Sequence, residues 1–191
     1  KERILQQTLS ETDRLNDLCD NILLASRFDS GTMQSHFEEV SLNQLVAEAV
    51  HQFRTRFPDR EITLQENAAN MYLQGDKMLL RMMMNNLIEN ALKYAPKSLP
   101  ITVSGSFENN HGKIAVADLG KGIPVEERRK VFDKFYRMGT EITRKTKGTG
   151  LGLYLVRRIA TDHKGIIDIK DNIPQGSIFT ISFSSSLTRP L

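Results

Sequence analysis

The chain contains 191 residues, 39% of them hydrophobic and 26% charged, with a formal net charge of +3. This balance excludes a disordered chain and indicates a globular domain with one sizeable core. The modest charge gives no reason to expect a nucleic-acid partner, and the single cysteine, Cys19, excludes an internal disulfide bond. No stretch is apolar enough for a membrane helix, and neither a signal peptide nor a methionine begins the sequence. We therefore expect a fragment of a longer protein that resides in a reducing compartment.

The first predicted element is one long helix from about Glu2 to Phe28, a segment without glycine or proline. Ser30 and Gly31 are expected to end it. An apolar seam of this kind needs partner helices to cover it. The seam consists of residues at three- or four-residue spacing: Leu15, Leu18, Ile22 and Ala25.

Short strands and two helices are predicted next. Ser41 and Gln44 form a capping box at the start of the first helix, Pro58 follows its end, and Asp76 is a typical N-cap for the second. The predicted elements are a strand at 36–40, a helix at 41–57, strands at 60–66 and 70–75, and a helix that ends near residue 96.

The remainder is predicted to hold two strand pairs separated by loops and helices. Helices mixed with strand pairs in this order predict an α+β fold, a sheet covered by helices on one face. The predicted elements are a strand pair at 101–107 and 112–118, a glycine-bearing loop at 119–124, a short helix near 125–134, a polar stretch at 139–147, a helix at 150–163 and a strand pair at 165–170 and 176–183.

Two asparagines, Asn86 and Asn90, lie one helical turn apart and away from the apolar face of their helix. Hard cations such as Mg²⁺ prefer oxygen ligands, commonly only a few from the protein, and phosphates and water complete the coordination shell. The pair of asparagines therefore suits a magnesium nucleotide. Lys93 lies about one turn further on, where it could reach a phosphate. A pair of asparagines that simply faces solvent would give the same pattern.

Asp118 leaves a predicted strand and is followed by Gly120 and Gly122. A carboxylate at a strand end can accept a hydrogen bond from an exocyclic amino group such as that of adenine, and glycines allow a base to approach closely. A turn without any ligand remains the alternative.

A second glycine cluster, Gly148, Gly150 and Gly152, opens an apolar helix. Free amides at a helix N-terminus form an anion site, and glycine removes side chains that would block a phosphate. Lys147 adds a positive charge. The spacing is neither that of a P-loop nor that of a Rossmann dinucleotide site. A purely structural role is the poorer explanation, because glycine weakens a helix.

Together these motifs resemble the N, G1, F and G2 boxes of the ATP-binding catalytic domain of two-component sensor histidine kinases. The F box corresponds to the sequence VFDKFYR at 131–137, and the segment 11–31 resembles the second helix of the family's dimerisation and phosphotransfer hairpin. The resemblance implies two parts, the hairpin helix at 1–30 and the ATP-binding domain at 36–188. It also implies the two-layer α/β sandwich of the Bergerat type that gyrase-like ATPases share.

The resemblance implies ATP and Mg²⁺ as cofactors. Asn90 would bind the metal, and Asn86 would act at the phosphates as the catalytic residue. Phe132 and Phe135 would anchor a lid at 136–147, although core packing explains them equally well. The remaining implied nucleotide contacts are Lys93, Tyr94, Asp118, Gly120, Gly122, Arg137, Lys147, Gly148, Thr149, Gly150, Leu151 and Gly152.

The amide at position 86 also bears on the reaction. In gyrase-like relatives a glutamate at the matching position activates water, which an amide cannot do. The chain should therefore hydrolyse ATP poorly and keep the phosphoryl group for another acceptor. Glu89 is the nearby acid that could weaken this argument.

The family's acceptor is a histidine on the first hairpin helix, and none of the four histidines here has its sequence context. His163 is expected to be structural. The resemblance implies a receiver domain of a response regulator as partner, homodimerisation through the hairpin, no nucleic acid, and a cytoplasmic location within a membrane-anchored bacterial protein, the membrane being reached through upstream segments.

Two other functions fit parts of the pattern. One is an ATP-hydrolysing member of the same fold or a serine kinase of the anti-sigma type. The other is an interaction module that ignores nucleotides and uses the first helix for dimerisation, which the intact motifs argue against.

Overall fold

The computed structural model describes residues 15, 18–66, 71–108, 111–139, 148–184 and 188–190. Its helices are α1, helical at residue 15 and over residues 18–29 among those described, α2 Leu42–Arg56, α3 Lys77–Tyr94 and α4 Gly152–Asp162. Its strands are β1 Glu38–Ser41, β2 Ile62–Glu66, β3 Met71–Gly75, β4 Ile101–Glu108, β5 His111–Ala117, β6 Ile166–Asp171, β7 Ser177–Ser184 and β8 Thr188–Pro190.

The larger sheet is mixed and has the strand order β2-β4-β5-β7-β6. β2 pairs with β4 in parallel, and the other neighbours are antiparallel. Both predicted strand pairs are confirmed. Burial alternates along β5 and β7, as expected of a sheet with one covered face. α2, α3 and α4 pack against this sheet, so the predicted α/β sandwich is confirmed.

A smaller antiparallel sheet has the order β1-β3-β8. β8 was not predicted, because three residues that end in proline carry no alternating pattern. The sheet extends the fold next to the point where α3 begins.

The two predicted N-caps are confirmed. Ser41 Oγ accepts a hydrogen bond from the Gln44 amide at 3.2 Å, and Asp76 Oδ1 accepts from the amides of Met78 and Leu79 at 3.0 and 3.1 Å. The caps satisfy amides that a helix N-terminus leaves without partners.

His163 joins the end of α4 to the start of α3. It is 2% exposed, its Nε2 accepts from the Asp76 amide at 2.9 Å, and its Nδ1 lies 2.8 Å from the Ile159 carbonyl oxygen, to which it donates. Both ring nitrogens are thus used within the fold, and the structural role predicted for His163 is confirmed.

The predicted helix near 125–134 is replaced by two 3-10 helices, Val125–Glu127 and Lys130–Phe132. Asp133 adopts an extended conformation, which prevents the second of them from continuing. None of the helices that the structure describes has the length and apolar character needed to cross a membrane.

The predicted N-terminal helix is observed only in part, since residues 1–14, 16 and 17 lie outside the described residues. Its predicted seam is only partly covered, because Ala25 is buried and Leu18 is half-buried, whereas Leu15 and Ile22 are exposed. Leu24 and Phe28 are the other α1 residues that enter the core.

The end of α1 is attached to the rest of the fold through polar contacts. Asp29 accepts hydrogen bonds from Lys134 and from the Tyr154 hydroxyl. Arg158 donates to the Phe28 carbonyl at 3.3 Å and lies over its ring. α1 is therefore held against α4.

Candidate functional site

Two adjoining cavities lie beside the C-terminal half of α3. The larger has a volume of about 430 Å³ and the smaller about 60 Å³. They form one continuous site, since six residues line both of them: Asn90, Tyr94, Val131, Tyr136, Arg137 and Leu153.

The polar edge of α3 forms one wall of the larger cavity. Asn86, Asn90 and Lys93 are half-buried there, whereas Leu87 and Ile88 on the same helix are buried in the core. Asn86 Nδ2 donates to the Met82 carbonyl at 2.9 Å, and this contact fixes the orientation of its amide. The helical spacing thus separates an apolar anchor from a polar edge, as predicted.

Asp118 lies directly after β5 and lines the smaller cavity. It is 6% exposed, and its Oδ1 accepts from the Gly120 amide at 2.7 Å. Burial raises the pKa of the Asp118 carboxyl, and the backbone amides of Gly120 and Ser177 partly offset this effect. A partly desolvated carboxylate of this kind favours a ligand that donates a hydrogen bond.

Glycines near the cavities leave room for the polar groups of the site. A Cβ on Gly120 would lie 2.8 Å from Asp118 Oδ1, and one on Gly152 would lie 2.7 Å from Asn86 Oδ1. A Cβ on Gly148 would overlap Lys93 Nζ. The glycines therefore keep open the space around the three predicted chemical groups.

The N-terminus of α4 borders the larger cavity, and no side chain in the described part of the chain caps it. The first amides of a helix lack intrahelical partners, so this end can bind an anion. Gly150 precedes it with φ +76°, and a Cβ there would lie 2.6 Å from the backbone of Phe135. The turn into α4 therefore requires glycine at position 150.

Most predicted site residues meet in this place. Of the predicted residues, those that line the larger cavity are Asn86, Asn90, Lys93, Tyr94, Arg137, Gly148, Thr149, Gly150 and Gly152. Those that line the smaller cavity are Asn90, Tyr94, Asp118, Gly122 and Arg137.

A few predicted residues are placed differently. Gly120 is absent from both cavity walls but supports Asp118. The side chain of Leu151 is buried, and its backbone amide donates to Thr149 Oγ1 at 3.3 Å. Phe132 packs in the core while Phe135 is exposed. Lys147 and most of the predicted lid, residues 140–147, lie outside the described residues.

Some lining residues were not predicted. Ser177 and Phe179 face the smaller cavity, and their alternation along β7 could have indicated this. Leu15, Leu18 and Asn21 of α1 also line the larger cavity, a position that no sequence motif indicates.

The donor set fits a magnesium nucleotide. The described residues contain no group of three or more His, Cys, Asp or Glu side chains that could hold a metal alone. The amide oxygens of Asn86 and Asn90 can supply only part of a coordination shell, as is usual for Mg²⁺ bound together with phosphates and water. The glycine-lined space beside Lys93 Nζ suits the phosphates.

Residues 75–186 match the family described as histidine kinase-, DNA gyrase B-, and HSP90-like ATPase, and this match covers more than half of the chain. The chain belongs to this family. It is 30% identical over 181 residues to the sensor-like histidine kinase SenX3 of Mycolicibacterium smegmatis, and the alignment covers 94% of this chain and 47% of that protein. The chain thus spans about half the length of this curated relative.

The fold of this chain is similar to those of solved histidine kinase structures. The mycobacterial sensor histidine kinase MprB has a TM-score of 0.68 and 26% identity, with 82% of this chain and 100% of that chain covered. Full-length ShkA in complex with AMPPNP has a TM-score of 0.79 at 21% identity, with 94% of this chain and 37% of that chain covered, a likeness of fold.

Proposed function

We propose that this chain binds Mg-ATP and transfers the γ-phosphoryl group to a histidine on the first helix of a phosphotransfer hairpin. The observation that carries the proposal is the continuous pair of cavities, one with a buried carboxylate and the other with glycines, a lysine and an uncapped helix N-terminus. A base and a chain of phosphates need these two environments side by side.

The residues divide between the two ends of the nucleotide. Asp118 accepts from the amino group of adenine in the smaller cavity. Asn90 holds Mg²⁺, which neutralises phosphate charge, while Lys93 and the amides at the start of α4 receive the phosphates. Positioning and charge neutralisation are the main requirements of phosphoryl transfer, so no covalent enzyme intermediate is needed.

The rest of the proposal concerns the longer protein. Residues 1–30 contribute the second hairpin helix and residues 36–188 the ATP-binding domain. The hairpin forms a homodimer, and phosphate passes to an aspartate in the receiver domain of a response regulator. The chain is the cytoplasmic part of a membrane-anchored bacterial protein. The family, the curated relative and the exposed half of α1 support this arrangement.

ATP hydrolysis is the second candidate function, because Glu89 also lines the larger cavity. Its carboxylate lies 3.5 Å from the guanidinium of Arg56, and both side chains are 47% exposed. Asn86, rather than an acid, stands where gyrase-like relatives have their base, which favours transfer over hydrolysis.

Nucleotide binding is tested by titrating a fluorescent ATP analogue into the wild type, Asn90→Ala and Asp118→Ala. Both variants should bind at least about tenfold more weakly. Asn85→Ala is the matched control, because Asn85 lines neither cavity and its buried Oδ1 has no hydrogen-bond partner among the described residues. Unchanged affinity in both site variants would refute the nucleotide site.

Transfer is tested with radiolabelled ATP on the chain expressed together with its upstream hairpin helix. The proposal expects a protein-bound label that acid removes and alkali does not, as for phosphohistidine. An acid-stable label would indicate a serine kinase. Release of free phosphate faster than labelling, and lost in Glu89→Gln, would indicate an ATPase.

A further inference from the structure

The loop between β6 and β7, residues 172–176, packs against the backbone that carries Asp118. Asn172 Nδ2 donates to the Asp118 carbonyl at 2.9 Å. Gln175 Nε2 donates to the carbonyl of the next residue, Leu119, at 3.0 Å. Two side chains of one loop therefore hold two successive peptide groups at the wall of the smaller cavity.

The orientation of the Asn172 amide is fixed from both ends. The side-chain Oδ1 of Asn172 accepts from the Ile173 amide at 2.9 Å. The backbone amide of Asn172 donates to the Gly176 carbonyl at 3.0 Å. The Nδ2 end is consequently the one directed at Asp118. Gly176, with φ +110°, lies so close to Asp118 that a Cβ on it would overlap the Asp118 carbonyl oxygen.

The Asp118 peptide is thus held on both sides. Its amide donates to the Ser177 carbonyl at 2.9 Å, and its carbonyl accepts from Asn172. Its side chain is oriented by the Gly120 amide. Recognition of a single amino group requires an acceptor positioned to within about 0.5 Å, which such support provides.

We infer that Asn172 is a positioning residue for base recognition, acting through Asp118 to select nucleotides with an exocyclic amino group. This inference rests on the proposed nucleotide site. It assigns the selectivity of that site to a residue 54 positions away in the sequence. Asn172 lines neither cavity, so it acts without touching the ligand.

The test compares the dissociation constants of ATP and of purine riboside triphosphate, which lacks the exocyclic amino group. The wild type should prefer ATP. Asn172→Ala should weaken ATP binding by about tenfold and leave binding of the second nucleotide unchanged, so that the preference disappears. Asn172→Ser should have the same effect, because its hydroxyl can still accept from the Ile173 amide but does not reach the Asp118 carbonyl. This variant replaces Asn172→Ala in the test if the alanine variant does not fold.

Asn43→Ala is the matched control. Asn43 Oδ1 accepts from the Met71 amide at 2.9 Å, a similar side chain to backbone bond between α2 and β3. This variant should lose stability and keep the preference. An Asn172 variant that folds and keeps the wild-type preference, or that weakens both nucleotides equally, overturns the inference. Failure of the wild type to bind either nucleotide would instead refute the proposed function.

Discussion

Asp76 and Asp118 occupy equivalent positions in two regions of the fold, yet they have different surroundings. Each follows a strand, and they are 5% and 6% exposed. Asp76 accepts from three backbone amides, those of His36, Met78 and Leu79. Asp118 accepts at Oδ1 from Gly120 and lines a cavity. The comparison teaches that the partners of a buried carboxylate, and not its burial, distinguish a structural cap from a ligand-binding group.

The largest expected effect is on stability at Asp76. Asp76→Ala should lower the free energy of unfolding by about 3 kcal/mol, because three amides lose their acceptor and each such bond is worth about 1 kcal/mol. Urea denaturation measures the loss. Ser41→Ala, which removes a one-bond cap, should cost about 1 kcal/mol. Equal losses in the two variants would contradict the multiple role of Asp76.

Exchange of the carboxylate for an amide should separate the two aspartates by ligand affinity. Asp118→Asn should weaken binding of the ATP analogue about twentyfold, because the new NH₂ group opposes the amino group of the base. Asp76→Asn should leave affinity unchanged while lowering stability. Titrations of both folded variants decide the matter, and an equal loss of affinity in the two would remove the distinction.

Each aspartate also has a glycine close to it, and the two glycines differ in the effect expected on nucleotide binding. A Cβ on Gly75 would lie 2.8 Å from His163 Cδ2 and from Leu80 Cδ1, so Gly75→Ala should cost about 1.5 kcal/mol of stability through overpacking. A Cβ on Gly120 would lie 2.8 Å from both Asp118 Oδ1 and the Tyr94 carbonyl oxygen. Gly120→Ala should therefore also cost stability, and it should in addition reduce nucleotide affinity about tenfold. Paired melting and binding curves check this, and a Gly75→Ala variant with weakened binding would argue against it.

The smallest expected effect is a pH dependence at Asp118. Because burial raises its pKa, Asp118 contributes stability below the ordinary aspartate pKa, and this stability is lost as the pH rises through the raised pKa. Asp118→Asn should therefore gain stability relative to the wild type, by less than about 1 kcal/mol, between about pH 4 and pH 7. Urea denaturation at both pH values measures it; a relative gain by the wild type would have the wrong sign.

The roles of both aspartates could be predicted from the sequence, because the residues next to each one indicate its role. Asp76 precedes an apolar helix, and Asp118 sits between an alternating strand and two glycines. The same holds for Asn86, Asn90 and the glycines before α4, which follow from helical spacing and composition.

Other parts of the site could not be predicted, because their partners are distant along the chain. The bond from Asn172 to the Asp118 carbonyl joins a side chain to a peptide group, and any residue type at position 118 would offer that carbonyl. The strand β8 is too short to show a period. The α1 wall of the larger cavity depends on the packing of Leu24 and Phe28, which becomes visible only in the assembled core.

The wall that α1 provides makes the larger cavity dependent on the position of a helix. Leu15, Leu18 and Asn21 line it, and Asp29 attaches the same helix to Lys134 and Tyr154. If nucleotide affinity differs between two positions of α1, reciprocity requires the nucleotide to shift the balance of those positions by the same factor. A rotation of α1 and the binding of a phosphate in the cavity would then shift the same equilibrium between two positions of the helix.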